Sequence, residues 1–551
     1  MHDGLPALTI AAMTTTPSSS AGLSCLTPVK PCPFTRRRTG MVLAIVVALA
    51  YALAINDQWA IKPDSALYLS LGRSLAEGRG MEYNGQQMWG TPPAIPALIA
   101  ACRMATGLAR QSLGAGVSDG YWLINFLMKA FAVGTALAAV GITRRLTQER
   151  PEDERTFLAA MMLLTVGLSA RLFTDATLIL TDVPFTFLIA LGLYSFLRAR
   201  DGHWAWYLAG GAAVAVATWT RLLGPVLFAG MAAAMLLDTR PGYLRRLPGV
   251  LASGAIVAAS VLVWMFLVRT RSDPGVPDYL VAAGSGQLDL ASAEKWKDVA
   301  VEVTRIPAAL CGILVDQKLP WVNLLPAAVV LFGMWVALRR RQLMVVLPMV
   351  CYVGFLVAWS AGAVAGRYLL PVLPLAAYCL LIGAEGAAGR LACPDASAKW
   401  RRIAIAIAAG VCVALSLPKD ARQIHWMQHP RFYAAYEHGE WVDVMDAAEY
   451  LREHGRGPDD AVATDFGAIA GYLTRLRVTS KPLWVKFRPG SRRPLEPKEF
   501  AEAAARGQFR FVVVPGDNAD WSVATIAEMG ATGAFAPPKT FGKLAVFERL
   551  R

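Results

Sequence analysis

The chain has 551 residues, 55% of them hydrophobic and only 17% charged, with a formal net charge of +14. That balance excludes an ordinary soluble protein, in which about a quarter of residues are charged. The positive charge does not point to nucleic acid either. The basic residues form short clusters between apolar runs, among them Arg36-Arg37-Arg38, Arg144-Arg145, Arg245-Arg246 and Arg339-Arg340-Arg341, as the positive-inside rule requires of cytoplasmic loops.

The apolar blocks run to about 18–22 residues, the length that crosses a ~30 Å hydrocarbon core as a helix. The expected fold is a polytopic α-helical membrane protein of about eleven spans, followed by a small C-terminal α/β extracytoplasmic domain. Residues 1–38 read as a disordered cytoplasmic tail rich in Ser, Thr and Pro. They lack the order of a cleavable signal peptide, so the first span stays as an anchor. Spans are expected near 40–57, 121–142, 156–170, 177–197, 204–220, 222–237, 248–268, 320–337, 343–362, 368–386 and 402–418, with a loop of about 50 residues after the seventh. Basic clusters at the inward ends place the N-terminus inside and the C-terminus outside. The short, proline-laden "PPAIPALIAACRMATG" reads as a juxtamembrane or re-entrant segment. The expected transmembrane domain is 39–418 and the soluble domain 419–551.

In that last region, "EWVDVMDAAEYLREHG" and "PKEFAEAAARG" read as helices. "AVATDF", "FRFVVVPGD" and "KLAVFERL" read as strands, with a further helix after "ATDFG". There is no GxGxxG and no GxxxxGK[ST] loop for a nucleotide. The eight cysteines form no CxxC pair and no metal-ligand spacing, so neither a disulfide framework nor a zinc site is expected.

Charged side chains at membrane depth are costly and are functional candidates by default. Asp64 follows the first span, Asp175 and Asp182 flank the start of the fourth, Arg221 lies between the fifth and sixth, and Arg367 opens the tenth. All five map to the outer face. Asp64 and Asp182 are each either a helix N-cap or a reactive carboxylate, and the arginines either snorkel to the interface or bind an anion. A carboxylate can act as a general base on an acceptor hydroxyl or amine, and arginine holds phosphate by charge-assisted hydrogen bonds. Nucleotide sugars are not available outside the inner membrane, so a sugar donor there must be borne by lipid, as in a polyprenyl-phosphate sugar.

The stretch "PDSALYLSLGRSLAEGRGMEYNGQQMWGTPP" from Pro63, with "LTDVPF" at Asp182, "TRLLG" at Arg221 and "RYLLPVLP" from Arg367, resembles the GT-C membrane glycosyltransferases. The nearest branch is the dolichyl-phosphate-mannose protein mannosyltransferase and aminoarabinose lipid A transferase superfamily. The resemblance covers most of residues 40–480. It implies a first outer loop with juxtamembrane helices, Asp64 as catalytic base and Asp182 as second acid. Arg221 and Arg367 become donor-phosphate ligands, with Tyr68, Tyr368 and Trp89 as further substrate-binding residues. Asp64 and Asp182 either share a divalent metal ion or work without one. Two departures stand out: many relatives have Asp-Glu where this chain has Asp64-Ser65, and the aminoarabinose transferases have Lys where it has Thr91. The second argues against that lipid A activity.

The resulting expectation is an inverting glycosyltransferase in the inner membrane, moving a sugar from a polyprenyl-phosphate donor to a glycan, lipid or protein acceptor on the outer face. The rivals are a transporter or flippase, which requires inverted repeats, and a non-catalytic envelope assembly protein in which the acids are only caps.

Overall fold

Apolar length decides which segments of this chain can sit in lipid, and the polar residues between them decide where the helices break. The computed structural model describes residues 33–57, 62–107, 121–201, 203–238, 243–273, 293–315, 320–359, 367–391, 397–428, 440–455, 460–464, 473–474, 476–479, 484–488, 491–507, 509–515 and 519–550. Of the disordered tail expected over 1–38, residues 1–32 lie outside the described residues and 33–38 instead belong to the first helix; the helix expected after "ATDFG" also lies outside the described residues. The chain begins with α1 (Pro33–Ala52) and α2 (Pro63–Ala76), then a hairpin of β1 (Glu82–Tyr83) and β2 (Gln86–Gln87), then α3 (Ala94–Ala105). Next come α4 (Trp122–Leu146), α5 (Glu152–Gly167), α6 (Ala170–Ala176), α7 (Asp182–Ala199), α8 (Ala205–Thr220), α9 (Gly224–Leu237) and α10 (Tyr243–Arg271). The bundle closes with α11 (Ala293–Val315), α12 (Pro320–Arg339), α13 (Leu343–Trp359), α14 (Leu373–Leu391) and α15 (Ser397–Met427).

Each of the eleven expected spans falls on a helix. Among the described residues, five helices (α4, α7, α10, α14 with the turn before it, and α15) are long and apolar enough to cross a membrane. The pair α5 and α6, bent by 50°, makes a sixth if it is one span; the remaining apolar helices are shorter. The protein is thus a multi-pass membrane protein, and by length and composition the structure supports fewer full spans than eleven. α14 lies at the centre, with 83% of its apolar window buried, whereas α10 is peripheral at 22%. Glycines let α12 approach α14 closely: a β-carbon on Gly333 would collide with the Cys379 carbonyl, the small-residue contact typical of membrane helices.

Three local readings change. The expected loop after span seven carries α11, whose Trp296, Lys297 and Arg305 are exposed while Leu310, Cys311, Ile313 and Leu314 are buried. Its polar half lowered the mean hydropathy and hid the helix. The third span breaks at Leu168-Ser169, where Ser169 caps α6 and its Oγ donates to the Ile313 carbonyl at 2.8 Å. The last span does not end at 418 but runs through Pro418 to Met427.

The C-terminal region has α16 (Glu440–His454), β3 (Ala461–Ala463), β4 (Arg477–Thr479), a separate hairpin of β5 (Trp484–Arg488) and β6 (Ser491–Pro494), α17 (Pro497–Arg506), β7 (Phe511–Pro515), α18 (Ala519–Ala531), β8 (Lys539–Phe541) and β9 (Leu544–Glu548). Five strands form one sheet in the order β4-β3-β7-β9-β8, parallel across β4, β3 and β7 and antiparallel thereafter. Successive strand residues face opposite sides. Val512 and Val514 join Phe500, Ala504 and Met529 under α17 and α18, while Phe511 and Val513 join Val444, Ala447 and Leu451 of α16. The α16 side belongs to the same apolar cluster as Ala66 and Leu69 of α2 and Ile95 and Ile99 of α3. The C-terminal sheet region is therefore packed onto the first loop.

A side-chain bridge fastens that contact. Asn84 and Gly85 turn the β1–β2 hairpin at φ 55° and 75°, the Asn-Gly pair that a two-residue turn favours. Asn84 Nδ2 donates to the Val478 carbonyl at 2.9 Å, and its Oδ1 accepts from Val478 N at 3.4 Å, as a neighbouring strand would do for the edge strand β4. Asn84→Ala removes both bonds and leaves an alanine in a left-handed conformation, a cost of about 1–2 kcal/mol. The expected outcome is amide exchange at Val478 faster by roughly tenfold with β7 and β9 unaffected; unchanged exchange at Val478 would show that the edge does not depend on the hairpin.

Candidate active site

Asp64 is the second residue of α2, and Pro63 occupies the first helical position, where a missing N–H costs nothing. The N-cap is Lys62. Asp64 is thus a first-turn carboxylate favoured by the helix dipole rather than the cap. Its Oδ2 lies 3.1 Å from Arg367 Nη1. Arg367 Nη2 donates to the hydroxyl of Tyr368 at 2.9 Å, just before the 3₁₀ turn Leu370–Val372 that leads into α14. Burial alone pulls the Arg367 pKa down, but Tyr368, Asp182 and Asp64 outweigh it and raise it above the ordinary arginine value. The guanidinium is charged throughout.

Arg221 closes α8 with an extended backbone (φ −153°, ψ 133°) before α9 begins. Its Nη1 lies 2.9 Å from Asp182 Oδ1, in the first turn of α7. The contact has ion-pair distance without hydrogen-bond alignment, so it is held by charge. Arg221 Nε donates to Thr181 Oγ1 at 3.1 Å. Tyr368 joins the two pairs: the guanidinium carbons of Arg221 and Arg367 lie 4.8 and 4.9 Å from its ring centre, within cation–π range. Tyr352 on α13 fixes that tyrosine by donating from its hydroxyl to the Tyr368 carbonyl at 2.7 Å.

The result is a chain of groups, Asp64–Arg367–Tyr368–Arg221–Asp182, drawn from α2, α7, α8 and the start of α14. Exposure grades along it. The Asp64 side chain is 48% exposed and that of Arg367 35%, but Arg221 is 13% and Asp182 only 2% exposed. Tyr68, one turn after Asp64, packs beside Leu178, Leu180 and Trp426 and is within electrostatic reach of Arg221. Asp175 meets Arg171 Nε at 2.8 Å and feels both Asp182 and Arg367.

Trp89 stands apart. Its indole N–H donates to Gln87 Oε1 at 3.2 Å and its carbonyl accepts from Trp264 of α10 at 3.0 Å. Among the described residues no hydrogen bond or ring contact joins it to the cluster. Sequence reading also passed over Thr181, Tyr352 and Arg171, and two buried charges in apolar helices, Lys129 and Asp420, whose charged atoms have no hydrogen-bond partner among the described residues. Lys129 was visible as a single charge inside an apolar run, whereas Asp420 lies between Lys419 and Arg422 and does not stand out.

As to a metal ion, Asp64 and Asp182 each face a guanidinium. Among the described residues no group of three His, Cys, Asp or Glu side chains could hold one.

Comparison with known proteins agrees with this architecture. Residues 109–269 match the family model "Dolichyl-phosphate-mannose-protein mannosyltransferase", a stretch that contains Asp182 and Arg221 but not Asp64 or Arg367. The chain is similar to the crystal structure of ArnT from Cupriavidus metallidurans bound to undecaprenyl phosphate, with 17% identity, a TM-score of 0.56, and coverage of 94% of this chain and 99% of that one. It is also similar to the oligosaccharyltransferase AglB from Archaeoglobus fulgidus in complex with an inhibitory peptide and a dolichol-phosphate, with 11% identity, a TM-score of 0.53, and coverage of 94% and 75%. A structure of the Archaeoglobus fulgidus oligosaccharyltransferase with Zn and sulfate matches at 13% identity and a TM-score of 0.56, over 92% of this chain and 73% of that one. No curated protein sequence matches the chain. These likenesses show the GT-C fold, and the resemblance read from the sequence holds.

Breaking the buried pair tests the geometry. Removing one partner of a buried ion pair leaves a desolvated charge and costs about 3–5 kcal/mol. Asp182→Ala and Arg221→Ala are each expected to lower the unfolding temperature of the detergent-solubilised protein markedly, with the double variant less unstable than the sum of the two. Strict additivity would separate Arg221 from Asp182.

Proposed function

We propose that the protein is a membrane glycosyltransferase that moves a sugar from a polyprenyl-phosphate donor to an acceptor at the face of the membrane where Asp64 lies. The observation that carries this reading is the half-exposed Asp64–Arg367 pair at the open end of a buried charged chain. A base and an anion-binding cation stand side by side at the start of apolar helices, where a lipid-borne phosphate would lie. The family match over residues 109–269 and the undecaprenyl phosphate and dolichol-phosphate held by proteins of this fold support the same donor class.

The pair also supplies an order of events. The donor phosphate competes with Asp64 for Arg367, because arginine forms paired, charge-assisted bonds with phosphate oxygens as readily as with a carboxylate. Drawing Arg367 to the phosphate frees Asp64 Oδ2. The acceptor hydroxyl or amine then gives its proton to Asp64 as it attacks the anomeric carbon. One bond forms from acceptor to carbon, the bond from carbon to phosphate oxygen breaks on the opposite side, and polyprenyl phosphate leaves with the electron pair and inverted stereochemistry at the sugar. Arg367 and Arg221 answer the charge gathering on the leaving phosphate. Asp182 and Thr181 act by holding Arg221, and Tyr68 and Tyr368 line the approach. We place this site, and the sheet region packed on the first loop, outside the inner membrane, with the N-terminus in the cytoplasm.

The test is incubation of the purified protein with a panel of polyprenyl-phosphate sugars, reading released polyprenyl phosphate. Asp64→Asn is expected to reduce turnover by roughly 10²–10⁴-fold, the range of general-base catalysis, without lowering the unfolding temperature. Arg367→Ala is expected to raise the KM for the donor as well as lowering kcat. Full activity in Asp64→Asn would remove the base assignment, and no release from any donor by the wild type would remove the proposal.

A further inference from the structure

α12 and α14 run side by side in the same direction and finish together at the end of the bundle opposite Asp64. Gly333 lies against Cys379, and a turn further on Phe332 and Val336 lie against Gly386. Each helix carries an arginine in its last turn, Arg339 on α12 and Arg390 on α14. Both guanidinium groups meet one ring. Their central carbons lie 4.9 and 4.7 Å from the ring centre of Trp335, and that of Arg390 also lies 5.0 Å from the ring centre of Phe332. The two rings are themselves stacked, 5.5 Å apart and inclined by 21°.

Neither charge is answered by an acid. Arg339 and Arg390 are exposed, and among the described residues neither side chain makes a hydrogen bond or an ion pair. Their neighbour Arg340, by contrast, reaches Glu385 at 3.3 Å. Two ordinary effects put arginines at such places: the dipole favours a cation in the last turn of a helix, and a long basic side chain at a helix end extends toward water. Both effects would be met by arginines standing apart, so neither explains why two like charges converge on one indole. A guanidinium serving its helix end would also donate to the last carbonyls, and these two donate to none among the described residues. Each therefore keeps its five N–H donors for a ligand, while contact with the aromatic face orients it.

The surface that leads to this ring is apolar. Leu324, Leu331, Trp335 and Leu338 are all exposed and recur at helical spacing along one side of α12, whereas Val330, Gly333 and Ala337 are buried against the bundle. In a multi-pass membrane protein such a stripe faces acyl chains, and a tryptophan at its end sits at headgroup level. An apolar stripe that finishes in one tryptophan and two unpaired guanidiniums matches a lipid from chain to phosphate. A soluble phosphate compound would gain nothing from the leucines. Anionic headgroups are the ligands that basic residues at membrane helix ends recognise.

We infer that Trp335, Arg339 and Arg390 form a binding site for an anionic phospholipid on the outer surface of the α12–α14 pair. The phosphate lies between the two guanidiniums, each able to give it paired, charge-assisted bonds, and an acyl chain follows Leu338 and Leu331 along α12. The site needs no cavity, since the ligand lies on the protein from the bilayer side. It shares no residue with the Asp64 cluster and stands independently of the transferase reading.

The test uses the full chain, purified in detergent, with bound lipid counted by native mass spectrometry. Phosphatidylglycerol and phosphatidylcholine are offered in equal amounts, and inorganic phosphate is offered in a separate arm. The wild type is expected to retain phosphatidylglycerol over phosphatidylcholine. The double variant Arg339→Gln, Arg390→Gln is expected to lower that preference by roughly tenfold, the size of one or two charge-assisted contacts, with its unfolding temperature in phosphatidylcholine unchanged. Each single variant is expected to lose part of it. Arg198→Gln removes one cation from the last turn of α7 at the same end of the bundle and is expected to keep the preference. Equal loss in Arg198→Gln would reduce the effect to net charge and overturn the site. A double variant that keeps the full preference overturns it as well, as does a wild type that binds inorganic phosphate but shows no preference between the two lipids.

Discussion

Arginine does not lose its proton at any pH a protein meets, and the Arg221 side chain is 13% exposed. A full charge in that position must be answered by neighbours, since desolvating an unpaired ion costs several kcal/mol. The answer comes from Asp182 and Thr181 at the start of α7 and from the ring of Tyr368. Each of these has its own requirement. Asp182 reaches Arg221 because α7 begins there, after the chain has broken away from α6 at Thr177. Tyr368 presents its ring because Tyr352 holds its carbonyl and Arg367 its hydroxyl. Arg367 then has a second arm for Asp64, 303 positions earlier in the chain. The buried charge therefore fixes helix starts far apart in sequence, and the accessible carboxylate lies at the end of that dependence.

The two ends of the bundle use arginine differently. At the Asp64 end each of the two central arginines meets one carboxylate and both share an aromatic ring, so the cluster is close to neutral and finely positioned. At the other end arginines outnumber acids and stand around open volume. Helix direction explains part of this contrast. The Asp64 end gathers the starts of α2 and α7, whose dipoles welcome the acids in their first turns. The opposite end gathers the finishes of α4, α7 and α12, with Arg144, Arg198 and Arg339 in their last turns.

The positions of the costly charges were legible in the sequence because a charged residue beside an apolar run has few bland explanations. Asp64, Asp182, Arg221 and Arg367 stood out for that reason, and the structure brings them together with Tyr68 and Tyr368. Who pairs with whom was not legible. Asp64 and Asp182 could have shared one cation, and only tertiary placement assigns them separate arginines. Trp89 entered with the family resemblance; its indole bonds Gln87 and its backbone carbonyl accepts from Trp264. Thr181 and Tyr352 are ordinary-looking residues in apolar surroundings, so nothing local marks them. α11 escaped because its polar half lies exposed and dilutes the apolar half that packs inward. The sheet region was readable as alternating helices and strands, but its edge pairing with Asn84 depends on a hairpin nearly four hundred residues away.

That distant pairing bears on how a loop can carry the proposed base. Groups that react must be held to about 0.5 Å by neighbours that are themselves fixed, a demand that a free surface loop does not meet. The first loop is fastened at three separate points. Asn84 bridges to the edge strand β4. Gln87 exchanges bonds with Asp273, its N–H donating to Oδ2 at 2.8 Å and its carbonyl accepting from Asp273 N at 3.1 Å. Asp64 meets Arg367. Close packing of α2 on α3 removes the remaining freedom, since a β-carbon on Gly72 would sit 2.5 Å from Ile99 Cγ2. Of these fastenings, the Asp64–Arg367 pair is the most exposed and the one that an incoming anion can replace. The loop can thus stay in place while its carboxylate changes partner, and this is the behaviour that the proposed base, next to the proposed phosphate site, requires.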